Sequence, residues 1–274
     1  MNILSKILLL LSLIALISCS KEEKVTYETK EDDLEMQMIE TYRLGFKSLN
    51  EGYVLLAAKQ FNDAERLFPQ SVWAQKSVLM AAYSYYTQDY YQDALFELNR
   101  FIQIYPQSNN LGYAHFLIAL CYYEQIVDQR KNLEPIVLAK EKFEYVLKNY
   151  PKSDYAVDAK YKINLINDIL ASKELYIAKY YLKKEKWIPA INRLKNIILN
   201  YDTTIYAPEA LHRLVEIHYK IGLVEEAKKY ASLLGYNYQS DEWYLRSYNI
   251  FNTVEKKEKL KKTSVLKELM KILD

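Results

Sequence analysis

Glycine and proline are scarce, with 5 and 6 among 274 residues. An all-β protein built on tight turns needs many more of both, so that class is set aside. The 5 glycines form no phosphate-binding loop. Cysteine is limited to Cys19 and Cys121, and histidine to His115, His212 and His218. His212 and His218 are six apart, about 600° around a helix, and so do not share a face as a metal pair four apart would. Charge of one sign is also missing. With 37 Lys and Arg against 35 Asp and Glu, the net +2 gives no reason to expect nucleic acid as a partner. The carboxylates fall on solvated helix positions. Neither a metal, a cofactor nor an enzymatic activity is expected from such a set. What the chain has in excess is tyrosine, 27 residues in all. Tyrosine suits packing between helices near a surface, where the ring is covered and the hydroxyl reaches water.

The stretch Val78–Pro106 is the unit that the chain repeats. Val78, Ala81, Ala82 and Tyr85 follow i, i+3, i+4, i+7 spacing, and Ala94, Leu98 and Phe101 mark a second helix that stops at Pro106. Small residues at Ala81, Ala82 and Ala94 would let two helices approach closely. Anchored on the alanine of the second helix, the pattern recurs five times. The first copy has Leu44, Gly45 and Ser48, then Ala57, Phe61 and Ala64, closing at Pro69. The third has His115, Ile118, Ala119 and Tyr122, an insertion around Asp128–Pro135, then Ala139, Phe143 and Val146. Proline falls 12 residues after the alanine in the first three copies, at Pro69, Pro106 and Pro151.

Tyr155–Leu182 reads as one long helix that supplies Ile177, Ala178 and Tyr181 to the fourth copy, with Ala190, Leu194 and Ile197 on its partner. Asp202 replaces the closing proline. The fifth copy holds Leu211, Leu214, Val215 and His218, then Ala227, Ala231 and Leu234. The first two copies are 37 residues apart, a little over the 34-residue tetratricopeptide period. The expectation is an all-α tetratricopeptide-repeat right-handed superhelix of about five hairpins over residues 34–250. Trp243, Tyr244 and Tyr248 could cover its open end.

The N-terminus has one cation, Lys6, and then an apolar and hydroxyl run from Ile7 to Ser18. The run is shorter than the roughly 20 residues of a membrane span and fits a secretory signal over residues 1–18. It ends in Leu16-Ile17-Ser18-Cys19, which resembles the bacterial lipobox. That resemblance implies that Cys19 is lipidated and begins the mature chain; the competing reading is a plain signal peptide with a chance cysteine. Residues 19–33 are polar and charged without an apolar stripe and read as a tether. Acylation of Cys19 would leave Cys121 without a partner, so no disulfide is expected, and Cys121 reads as an inert core residue. The lysine-rich tail 251–274 places Leu266, Leu269, Met270 and Leu273 on one helical stripe, which fits either docking or a solvated helix.

Together these features resemble the BamD (ComL) family, a lipoprotein subunit of the machinery that inserts β-barrel proteins into the bacterial outer membrane. The resemblance runs from about Tyr42 to Ala231. It is carried by Gly52–Pro69 with Ser71–Gln75, by Ala82–Pro106 with Tyr85, Tyr86, Arg100 and Phe101, and by the Asn110–Tyr122 helix. It continues through Phe143–Pro151 and through Tyr180–Tyr201 with Trp187, Asn192 and Arg193. Asp202 and the basic tail depart from it. The resemblance implies a non-catalytic scaffold held by lipid on the periplasmic side of the outer membrane, and Ser20, not Asp, after the cysteine is compatible with that sorting. It implies as partners a barrel insertase resembling BamA at the C-terminal repeats, other assembly lipoproteins, and unfolded outer-membrane proteins at the N-terminal repeats. Another envelope tetratricopeptide lipoprotein, coordinating peptidoglycan synthesis or polysaccharide export, is the alternative.

In such a superhelix the first helix of each pair lines the inner face. The residues beside the packing anchors are therefore candidates for the substrate groove: Tyr42, Phe46, Tyr83, Tyr86, Phe116 and Tyr123, with Lys76 and Glu124 for polar register. A row of rigid aromatics suits the aromatic-rich strands of a membrane barrel; packing between repeats is the competing role for each. Trp187 and Arg193 are the candidates for the partner interface, since Trp and Arg often anchor interfaces.

Overall fold

The structure is a computed structural model that describes residues 27–126 and 133–252. Every regular element among the described residues is a helix. Cys19, the insertion around Asp128 and the apolar stripe of the tail lie outside the described residues. The chain divides into two compact units, one ending at Gln88 and one beginning at Asp89.

The first unit holds α1 (Tyr27–Asn50), α2 (Val54–Leu67) and α3 (Val72–Tyr86). Its core is Ala57, Ala58 and Phe61 of α2 against Ala81 of α3, with Tyr42, Leu49, Met80 and Tyr85 around them. Phe61 is fully buried because α1 presents Gly45 to it; a Cβ there would stand 2.9 Å from the ring. Leu44, expected as an anchor, instead lies 45% exposed. The buried side of α1 is Met38, Gly45 and Ser48, the side that faces α2. The helix starts at Tyr27, inside the stretch 19–33 that the sequence reads as a tether.

The second unit runs through α4 (Tyr91–Ile104), α5 (Leu111–Glu124), α6 (Glu134–Asn149), α7 (Asp154–Lys183), α8 (Trp187–Asn200), α9 (Ala207–Lys220) and α10 (Val224–Asn237). A further helix, α11, occupies 242–252, the last of the described residues. The 30-residue α7, about 45 Å long, is shared by two cores. Its first half gives Ala159 and Ile166 to a cluster with Phe116, Ala119, Ile136, Ala139, Phe143 and Val146. Its second half gives Ala171, Leu175 and Ala178 to a cluster with Ala190, Leu194 and Ile197 of α8 and Ala210, Leu214 and Ile217 of α9. Cys121 is buried and free, and burial pushes its thiol up to about 12, as an inert core residue requires.

One loop is built alike after every second helix. An aromatic residue closes the helix with extended φ at Phe68, Tyr105, Tyr150, Tyr201 and Tyr238. Three residues later stand Ser71, Ser108, Ser153, Thr204 and Asp241, each donating its backbone N–H to that aromatic's carbonyl. Ser71, Ser108 and Asp241 also accept a backbone N–H two residues on, while Ser153 and Thr204 donate their hydroxyls to Tyr150 and Tyr201 carbonyls. The aromatic and the hydroxyl or carboxylate therefore fix the loop, and Asp202 takes proline's place without changing it.

A second device sits five residues before the anchoring alanine. Gly52, Asp89, Glu185 and Gly222 have φ of 84°, 61°, 53° and 87°. At Gly52, Glu185 and Gly222 the next N–H reaches back five residues, Tyr53 to Ser48, Lys186 to Tyr181 and Leu223 to His218, at 2.8–3.0 Å. A left-handed residue followed by such a bond is the Schellman ending of a helix, and it returns the chain tightly into the next one.

Candidate interaction surfaces

In the first unit the aromatic positions gather on α1 and α3. Tyr42 packs edge-on against Phe61 and Trp73, each with centroids 5.2 Å away, and burial raises its hydroxyl pKa. Phe46, one turn on, is 48% exposed. The two line a hollow of about 600 Å³ with Arg43, Lys47, Asn50 and Glu51. On α3 the Lys76 ammonium lies 4.5 Å over the Trp73 ring. Tyr83 and Tyr86 sit 6.4 Å apart, Tyr83 exposed and Tyr86 half-buried. Fixed rings with one open face and a cation among them can bury an apolar side chain and hydrogen-bond a backbone.

In the second unit the expectation splits. Phe116 is corrected to a core residue. It is 8% exposed and packs 5.8 Å from Phe143 and 5.5 Å from Tyr155. The reason is that α5 is covered on several sides, with Ala114, Leu117, Ile118 and Cys121 also buried, so a groove position on its helical wheel is a packed one. Tyr123 stays half-buried, edge-on to Phe143 at 6.2 Å and under the Lys162 ammonium at 4.0 Å. Glu124 beside it is exposed.

Trp187 opens α8 and packs on the cluster that α7, α8 and α9 form, with the Lys220 ammonium 4.6 Å over its ring. Arg193 Nη1 donates to both carboxylate oxygens of Glu174 at 3.2 Å. It borders a hollow of about 450 Å³ with Tyr181, Ile188, Pro189, Asn192 and Asn196. Ile188 is 73% exposed there, an apolar residue beside an ordered guanidinium.

The last helices carry a polar network that the repeat pattern does not reveal. His212 is buried; its Nδ1 is 2.8 Å from Ser247 Oγ on α11 and its Nε2 is 3.4 Å from Glu216. Arg213 reaches Glu216 at 2.7 Å and Glu209 at 3.2 Å, and Glu209 also holds Lys179 of α7 at 2.8 Å. Burial would raise the Glu216 carboxyl, but hydrogen bonds and charge from His212 and Arg213 bring it down to about 2. Trp243 lies beside His212 and under Arg246, whose guanidinium is 4.5 Å from its ring. His218 donates from Nδ1 to the Leu214 carbonyl at 2.7 Å, and His115 packs on Tyr145 and Tyr150. Among the described residues no group of three metal-binding side chains comes together, and no helix is long and apolar enough to cross a membrane.

Tandem helix pairs anchored on alanine define a tetratricopeptide-class protein. The family model described as "Outer membrane lipoprotein" (YfiO) matches residues 34–233. The chain belongs to that family. It is 38% identical over 233 residues to the outer membrane protein assembly factor BamD of Caulobacter vibrioides, covering 85% of this chain and 74% of that one. With the protein of the same name from Rickettsia prowazekii it shares 41% over 208 residues, 73% of this chain and 83% of the relative. Among solved structures, the TPR2AB domain of yeast Sti1 superimposes with a TM-score of 0.44 at 15% identity, covering 81% of this chain and 85% of that domain.

Proposed function

We propose that this protein is a non-catalytic scaffold of the machinery that folds and inserts β-barrel proteins into the bacterial outer membrane. The single observation that carries the reading is the family match over residues 34–233, together with relatives named as outer membrane protein assembly factors. An acyl group on Cys19 would hold it on the periplasmic side of the outer membrane. One chain binds a bilayer only marginally, so a stable anchor needs more than one.

The N-terminal repeats would receive unfolded barrel segments on Tyr42, Phe46, Lys76, Tyr83 and Tyr86. In the second unit Tyr123 remains a contact of this kind, while Phe116 is withdrawn. Trp187 and Arg193 would meet the barrel insertase, because an ordered guanidinium next to exposed Ile188 is the pairing that anchors interfaces. The test is purification of the full-length chain from detergent-solubilised membranes of its own host. Recovery of a barrel insertase is expected, and Arg193→Glu should deplete it. Recovery of peptidoglycan-synthesis or polysaccharide-export proteins without an insertase would move the protein to that other role.

A further inference from the structure

On α7, Tyr176, Lys179, Tyr180 and Lys183 stand at i, i+3, i+4 and i+7, one continuous stripe beside the buried side made by Leu175 and Ala178. Two of the four are large rings with more than half their surface exposed, Tyr176 at 58% and Tyr180 at 56%. Arg213 comes across from α9 and closes the stripe into a hollow of about 420 Å³ with Leu182.

Its electrostatics are organised rather than diffuse. Glu209 holds Lys179 at 2.8 Å and Arg213 at 3.2 Å, and Glu216 holds the other edge of Arg213 at 2.7 Å. Those carboxylates fix two cations in place before any ligand arrives. Lys183 has no carboxylate partner among the described residues. Three cations against two carboxylates leave the hollow one positive charge in excess, carried by the side chain that is free to move. The stripe spans eight residues of helix, about 10 Å from the first to the last, the length of roughly three residues of extended chain.

We propose that this α7–α9 face binds an extended anionic peptide segment that carries an aromatic or large aliphatic side chain. The apolar side chain would lie between Tyr176 and Tyr180, and an acidic group of the segment would pair with Lys183. Charge complementarity chooses the sign of the occupant, and the two rings choose its apolar part. The site shares no residue with Trp187, Arg193 or the first unit, so it stands independently of the assembly role.

The test uses the full mature chain in detergent and a fluorescent octapeptide with alternating aspartates and two central phenylalanines. Its controls are the same peptide with lysine for aspartate and with alanine for phenylalanine. The acidic aromatic peptide is expected to bind about tenfold or more tighter than either control and to weaken with salt. Lys183→Glu and Tyr180→Ala should each cost about tenfold in affinity. Both residues are exposed, so an unchanged melting temperature checks folding, and Tyr176→Ala serves as a second variant should either one melt early. Equal binding of the acidic and basic peptides, or wild-type affinity in folded variants, overturns the proposal.

Discussion

Single residues show how little backbone freedom the repeats leave. Gly222 adopts φ of 87°, and a Cβ there would meet nothing within 4 Å. The cost of a side chain is therefore conformational alone. Gly222→Ala is expected to lower stability by about 1–2 kcal/mol, with Gly222→Asn costing less, in denaturant unfolding. Glu216 sets a pH limit. Its carboxyl is held near 2 in the folded chain, below the ordinary 4.5. A depressed carboxyl contributes stability above the ordinary value, and the contribution is lost as pH falls from there toward about 2. Glu216→Gln should therefore destabilise the protein at pH 7, and the gap to wild type should shrink in melts taken at pH 3. A gap of equal size at both pH values would assign the effect to packing.

At the scale of elements, α7 does what two helices do elsewhere in the chain. It closes the core around Phe143 with Ile166 and opens the next around Leu194 with Leu175. Ile166 is fully buried, so Ile166→Ala should cost about 2–5 kcal/mol. Because one continuous helix carries both clusters, calorimetry of the variant is expected to show a single downshifted transition for this unit; two separated transitions would show that the halves of α7 fold apart.

The elements themselves were largely legible. The alanines that anchor each second helix, the long helix ending near Leu182 and the stop at each proline all follow from periodicity and breakers. The loop chemistry after each second helix was legible too, had the aromatic and the hydroxyl been aligned instead of the proline. The start of α1 was not, because Tyr27–Asp33 has no apolar stripe and is helical only as the extension of a helix anchored further on.

For the whole molecule, the anchor is the decisive prediction. Cys19→Ala should release the protein from washed membranes into the soluble periplasmic fraction, read by fractionation with an assembly-machine lipoprotein as control. A variant that still sediments in a host lacking the insertase would show that another segment holds the membrane.

The sequence by itself determined that this chain is helical, that its helices come in pairs closing on alanine, and which family those pairs resemble. Spacing of i, i+3 and i+4 fixes which residues share a helix face, and nothing more is needed for that. Only the tertiary structure decided which aromatic faces stay open, burying Phe116 and leaving Tyr176 and Tyr180 more than half exposed. It also brought Lys179 to Glu209 and His212 to Ser247, 30 and 35 residues apart. Such meetings depend on how successive pairs stack, an angle set by the shapes of the packed side chains together and by no local spacing.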